Sequence, residues 1–347
     1  MINVCLIGHL GGREKFREGQ TVKTQHLVDA IQSDENIRLR CADTYYCRKN
    51  ILKFAMQLLG GLAASDRVVL CVSKGGRRIF YPMLYWCTRI FGKKVYHCTI
   101  GGRVAEEIQE HPEWKKYVQS FQVNWVESHL IVDHFEQLGV TNAVYLPNFK
   151  KLPVVSSEEL RTSLSTPARF CIFSRITEEK GVTDAIHAIA EVNRRYGDTR
   201  AVLDLYGPVA PEYESALAAL LAEHSGYVKY CGTAAPESSV EILKEYDFLL
   251  FPTRRFSREG IPGTVIDALC AGVPVISRQW KYGHEMLTHG YNGFCYDFEA
   301  PEMLPHWIEY AISHPEMLPQ MKKNCLASAE EYRMEHVAPE ICHKLAL

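Results

Sequence analysis

The sequence predicts an α/β fold of two Rossmann-like, doubly wound domains, and three observations carry that expectation. Short runs that are apolar throughout recur along the chain. Longer amphipathic stretches separate them, and a Pro- and Ser-rich break just after residue 150 divides them into two sets. Strands apolar on both faces and joined by helices belong to parallel sheets covered on both sides. The 347 residues agree, since about 150 residues per domain gives roughly two domains.

In chain order, Ile2–Ile7, Val68–Val72, Val95–Ile100, Val123–Val126 and Ala143–Leu146 read as buried strands of the first set. Phe170–Phe173, Ala201–Leu205, Val228–Cys231, Phe248–Phe251 and Val273–Ile276 read as those of the second. Between them, Asp184–Arg195 places Ile186, Ile189, Ala190 and Asn193 on one side of a helix. Residues 1–152 are expected to form the first domain and 168–329 the second, with 153–167 as linker. The stretch from Pro315 to Leu347 is helical by pattern, with no strand after it. No solenoid-length repeat occurs.

Composition narrows the class. There are 39 Lys and Arg against 41 Asp and Glu, so the net charge is −2, which speaks against a protein that coats nucleic acid. Apolar residues make up 47% and charged ones 23%, which is globular composition. Twelve cysteines include no CxxC pair, and Cys5, Cys71, Cys171 and Cys231 sit in apolar runs as reduced thiols would. No secretory signal pattern and no membrane-length apolar run is seen, so a cytoplasmic protein is expected.

In a doubly wound sheet, ligands bind beyond the carboxyl ends of the strands. Phe170–Phe173 is followed by Ser174-Arg175-Ile176-Thr177-Glu178-Glu179-Lys180-Gly181 and a helix. Arg175 and Lys180 there read either as an anion site at a helix N-terminus or as two solvated cations. After Phe248–Phe251 come Pro252-Thr253-Arg254-Arg255-Phe256-Ser257-Arg258-Glu259-Gly260-Ile261-Pro262-Gly263-Thr264, then a helix carrying Asp267, then a strand. Glu259 is expected in the cleft, the Gly263 and Thr264 amides facing an anion, and Asp267 in the first helical turn. A capping box from Thr264 to Asp267 is the structural alternative.

Arg175-x4-Lys180-Gly181 with Glu259-x7-Asp267 resembles family 4 of the retaining nucleotide-sugar glycosyltransferases, which have the GT-B fold. Tyr206-Gly207-Pro208, Pro147-Asn148-Phe149 and Gly290-x2-Gly293-Phe294 are similar to further segments of that family, so the resemblance runs over essentially the whole chain. It looks most like the enzymes of capsule, exopolysaccharide or O-antigen synthesis. The resemblance implies two Rossmann-like domains facing across a cleft, with the final helix, about 330–347, packed back on the first. It implies that Arg175 and Lys180 bind the donor diphosphate and that Glu259 holds hydroxyls of the transferred sugar. It further implies that Asp267 binds the ribose, with Gly207, Gly263 and Thr264 lining the donor site. Two departures stand out: Asp267 is one methylene shorter than the usual Glu, and Pro262 removes an amide donor.

In the first domain, Gly8-x2-Gly11-Gly12 follows the first strand, and Gly11 and Gly12 are the expected points of close approach to phosphate. The segment Gly19–Thr24 competes for that role. His97 matches the family's strand-end histidine by position and is the expected catalytic histidine, with a structural histidine as the alternative. Residues 77–94 mix aromatic and apolar residues with flanking cations, as in an interfacial membrane helix or a helix packed on the sheet.

The resulting expectation is a retaining hexosyltransferase using a nucleotide sugar, UDP before GDP, with no metal or other cofactor. Asp297-Phe298-Glu299 is the nearest approach to Asp-x-Asp. The acceptor is expected to be a glycan or lipid-linked glycan, with peripheral membrane contact through 77–94 and no nucleic acid. A non-catalytic relative binding nucleotide or partner, or a nucleotide-sugar epimerase, is the alternative. Gly8-His9-Leu10-Gly11-Gly12 fails the glycine spacing of an NAD oxidoreductase.

Overall fold

A computed structural model describes residues 1–12, 19–256 and 258–347; Ser257, within the arginine-rich loop, lies outside the described residues. The chain forms two units, one of residues 1–151 and 331–347, the other of residues 152–330.

The first unit holds a parallel six-stranded sheet: β1 (Ile2–Gly8), β2 (Ile37–Asp43), β3 (Arg67–Cys71), β4 (Lys94–Cys98), β5 (Val123–Val126) and β6 (Ala143–Tyr145), in the order 2-1-3-4-5-6. Strand β2 was not among the expected ones. Its sequence Ile37-Arg38-Leu39-Arg40 alternates because it lies at the sheet edge, where only one neighbour covers it. Right-handed crossovers sort the helices. The step from β1 back to β2 places helix Gly19–Gln32 on one face. The steps onward to β3 and β4 place helices Ile51–Ala63 and Lys74–Phe91 together on the other.

The terminal helix Met334–Ala346 packs against helix Gly19–Gln32. Met334, Val337, Ile341 and Leu345 share a core with Leu27, Ala30 and Ile31. The return is pinned where Lys150 N donates to Tyr332 O (3.0 Å) and Met334 N to Lys150 O (3.1 Å).

The second unit repeats the architecture with β7 (Ala168–Phe173), β8 (Ala201–Tyr206), β9 (Val228–Tyr230), β10 (Phe248–Phe251), β11 (Val275–Arg278) and β12 (Gly293–Tyr296). The order is 9-8-7-10-11-12, the doubly wound pattern of dinucleotide-binding sheets. Strand β12, again an edge, starts at the end of the Gly290–Phe294 segment and is too short for periodicity to reveal.

The expected linker 153–167 is instead packed on this unit. Val155 and Leu160 are buried, and Val155 N donates to Cys270 O at 2.9 Å. The Asp247 carboxylate, fully buried, accepts from the Ser165 hydroxyl (3.2 Å) and from the amides of Ser165 and Arg169 (3.2 and 2.8 Å). A Pro- and Ser-rich composition signals irregular backbone, not freedom from contact.

Candidate functional site

β7 and β10 are paired neighbours, and they are where the strand order of the second sheet reverses. Chain leaving one turns away from chain leaving the other, so a crevice opens between the two exits. Residues 174–181 and 252–263 both emerge there.

Two glycines let the exits close up. Gly181 has φ +72°, and a Cβ on it would lie 2.1 Å from Pro252 O, so the start of helix Val182–Tyr196 touches the exit of β10. Gly207, following β8, has φ +140°, and a Cβ there would lie 1.7 Å from Ser174 O. A side chain at either position would force the strand ends apart.

Lys180 ends a short turn, Glu178–Lys180, whose N-terminus Thr177 caps by accepting from Lys180 N at 3.2 Å. Its ammonium reaches across the crevice and donates to Glu259 Oε1 at 2.5 Å, 5.7 Å from the Phe251 ring centre. Thr253 Oγ1 donates to the same carboxylate oxygen at 3.4 Å. Both charged side chains are largely shielded from solvent. Thus a cation and a carboxylate 79 residues apart in sequence meet at the strand ends. Arg175 lies on the β7 exit and is exposed.

The helix Gly263–Cys270 starts at this point, with Ser174, Lys180, Pro252 and Thr264 lining a recess beside it. Its geometry corrects two expectations. Pro262, with extended backbone (φ −71°, ψ 126°), precedes the helix, so Gly263 and Thr264 are its first two residues and Asp267 its fifth. Asp267 therefore lies in the second turn, buried, and no capping box forms. The Thr264 hydroxyl instead donates to Phe173 O at 2.6 Å, tying the helix start to β7.

Three side chains here, Arg254, Arg255 and Trp280, were not anticipated. Arg254 pairs with Glu178 and with Asp184, its Nε donating to Asp184 Oδ2 at 2.9 Å, and Arg255 pairs with Glu179. These latch the loop bearing Glu259 onto the turn bearing Lys180. The Trp280 indole donates to Gly260 O at 2.9 Å and supports the loop from behind. An acidic pair after one strand and a basic pair after another are legible in the sequence. Their meeting depends on β7 and β10 being adjacent, which the sequence does not display.

In the first unit, the glycine turn is held internally. The buried Asp43, at the end of β2, accepts from the amides of Leu10 and Gly12, each at 2.8 Å, and from that of Tyr45 at 3.0 Å. Two of the amides facing this turn are therefore committed to a carboxylate, so Gly11 and Gly12 offer close backbone approach and not a ready-made anion nest. In the competing segment Gly19–Thr24, Lys23 is buried on Glu127 and Thr99 O.

His97 lies inside β4, fully buried. Asn124 uses its amide nitrogen to donate to Val118 O (3.0 Å), which leaves its Oδ1 to accept from His97 Nδ1 at 3.0 Å. The Tyr81 hydroxyl then donates to Nε2 at 3.2 Å. Burial, with Arg77 nearby, pushes the His97 pKa down to about 3, so the ring is neutral. Both nitrogens are spent within the core, which favours the structural alternative. Among the described residues, no three of His, Cys, Asp or Glu gather into a group that could hold a metal.

Residues 158–326 match the protein family described as glycosyl transferases group 1. The matched stretch lies within the second unit, residues 152–330. Lys180, Glu259 and Asp267 all lie within that transferase match. The amylovoran biosynthesis glycosyltransferase AmsK of Erwinia amylovora is 29% identical over 147 residues, covering 42% of this chain and 35% of its own. The alpha-monoglucosyldiacylglycerol synthase of Acholeplasma laidlawii is 25% identical over 176 residues, covering 51% of this chain and 42% of its own. The matches therefore span about two fifths or less of these curated relatives. Among solved structures, Anabaena HepE in complex with UDP aligns over 99% of this chain and 100% of its own, with TM-score 0.74 and 14% identity. The two units have the GT-B fold.

Proposed function

We propose that this chain is a retaining, metal-independent glycosyltransferase that moves a sugar from a nucleotide-sugar donor, UDP-linked, to a glycan or lipid-linked glycan in bacterial surface polysaccharide synthesis. The carrying observation is the Lys180–Glu259 pair at 2.5 Å, set at the switch point of a group 1 transferase domain. A relative whose name gives amylovoran biosynthesis supports the polysaccharide assignment, and a fold relative solved with UDP supports the nucleotide.

Breaking the sugar–phosphate bond leaves charge on the nucleotide diphosphate. Lys180, Arg175 and the helix N-terminus at Gly263 and Thr264 meet that charge as it develops. Glu259 holds hydroxyls of the transferred sugar, Asp267 the ribose, and Gly207 lets the backbone approach the donor. In the first unit, Gly11 and Gly12 let the backbone approach a phosphate. The acceptor attacks on the face the phosphate leaves, which retains configuration. The enzyme works in the cytoplasm, peripherally at the inner face of the cell membrane.

Calorimetric and thermal-shift binding of UDP, GDP, ADP, CMP and NAD, to the chain and to Lys180→Ala, tests this reading. Binding of UDP that the variant loses, with transfer unaffected by a chelator and the donor's anomeric configuration kept in the product, is expected. Transfer in the variant should fall by roughly 10²–10³. Binding of NAD alone, or of no nucleotide, overturns it.

A further inference from the structure

Thirteen large apolar side chains are exposed among the described residues, and eight of them lie on two helices of the first unit, Ile51–Ala63 and Lys74–Phe91. Both helices cover the same face of the sheet, and Phe54 of one meets Phe80 of the other edge to face at 6.2 Å. Phe54 and Gly61, and Phe80, Tyr81 and Leu84, form their buried sides. The opposite sides are apolar too. Leu52, Met56 and Leu59 follow at helical spacing, with Leu52 75% exposed. Ile79, Trp86 and Ile90 do so on the second helix, at 66%, 59% and 64%, with Phe91 exposed beside Ile90 at 69%. A helix needs one apolar stripe to pack on a sheet; these have a second that the fold does not use.

Charge identifies what covers it. From Tyr45 to Lys94 the chain has ten Lys and Arg and a single acid, Asp66, whereas the whole chain is at −2. Arg48, Lys49, Arg78 and Arg89 are exposed among the apolar residues. No helix among the described residues is long and apolar enough to cross a membrane. Apolar side chains ringed by cations on helices that do not span suit the headgroup layer of an anionic bilayer.

We infer that the paired faces of helices Ile51–Ala63 and Lys74–Phe91 form one docking surface for anionic lipid membrane. This deepens the peripheral placement proposed above: it names a surface of two helices where the sequence pointed to one, and a lipid charge. Trp86 is its built-in reporter, since Trp114, Trp125 and Trp280 are buried and the half-buried Trp307 packs on the core of the second unit.

The test uses the full chain with vesicles of phosphatidylcholine, alone or mixed with phosphatidylglycerol. Sedimentation with the mixed vesicles only, weakened by salt and accompanied by a blue shift of tryptophan emission that Trp86→Phe removes, is expected. Leu52→Gln with Met56→Gln, and separately Ile90→Gln with Phe91→Gln, should each weaken binding about tenfold or more. Charge reversal at Lys49 and Arg89 should remove the preference for phosphatidylglycerol. Circular dichroism and the UDP thermal shift on the same samples report folding. Absence of vesicle binding, binding that neither apolar pair affects, or a lipid-free dimer that the same substitutions dissolve overturns the inference. UDP binding that persists through any of these leaves the donor-site reading standing; loss of UDP binding alone sinks that reading and not this one.

Discussion

Glu259 stands 2.5 Å from the Lys180 ammonium, so any diphosphate that uses this cation competes with a carboxylate for it. A partly shielded pair of this kind is worth about 1 kcal/mol, or roughly fivefold in affinity. Glu259→Gln should therefore bind UDP several-fold more tightly by calorimetry while transferring sugar far more slowly, because the acceptor for the sugar hydroxyls is weakened. Tighter product binding with slower transfer separates this role from simple damage to the site.

His97 gives a second prediction at this scale. Its folded pKa of about 3 lies below the ordinary 6.5, so the unfolded chain takes up the proton first as pH falls. The stability held by the neutral ring is complete above about pH 6.5 and is lost progressively toward pH 3. Between pH 7 and pH 5 the first unit should lose about 2 kcal/mol from this group, read from urea unfolding. His97→Gln should flatten that part of the pH profile. The sequence shows a histidine at a strand end and nothing more. Its burial comes from Tyr81 and Asn124, which arrive from a helix and a neighbouring strand that local pattern does not align.

At the scale of elements, the crevice between the exits of β7 and β10 depends on backbone pressed against backbone. Gly207→Ala would drive a methyl into Ser174 O, and the exit of β7 would have to shift. We expect a loss of stability of about 3 kcal/mol in thermal or urea unfolding, with UDP binding lost along with it. Gly197, also at positive φ but with open space around it, is the control: Gly197→Ala should cost about 1 kcal/mol and leave UDP binding intact.

Elements were also where legibility differed most. Strands buried on both faces, such as Val68–Val72 and Phe248–Phe251, declare themselves as apolar runs, and the charged loops after β7 and β10, each ending in glycine, mark the site. Strand β2 does not, because at the sheet edge charged residues alternate with apolar ones, and β12 does not because it is short. The latch of Arg254 and Arg255 on Glu178, Glu179 and Asp184 escapes notice for a different reason. Ion pairs follow strand order, and strand order is a property of the whole sheet.

At the scale of the molecule, the first unit is discontinuous: 151 residues from the start of the chain and 17 from its end. The closing helix covers Leu27, Ala30 and Ile31 with Met334, Val337, Ile341 and Leu345. Removing residues 331–347 would return that apolar area to water. Each large side chain so exposed costs roughly 1.5–3 kcal/mol, in sum a large share of a domain's usual margin of about 5–15 kcal/mol. Such a truncation should unfold the first unit while the second keeps its UDP thermal shift, and limited proteolysis would show cleavage confined to residues 1–151.

The same discontinuity sets an order of events during synthesis. As the chain leaves the ribosome, residues 1–151 emerge first yet lack one wall of their core. Residues 152–330 emerge next with every strand and helix of their unit at hand. The later-made half can thus reach its native packing while the earlier-made half still waits, its apolar surface on offer to chaperones until Leu345 has cleared the exit tunnel.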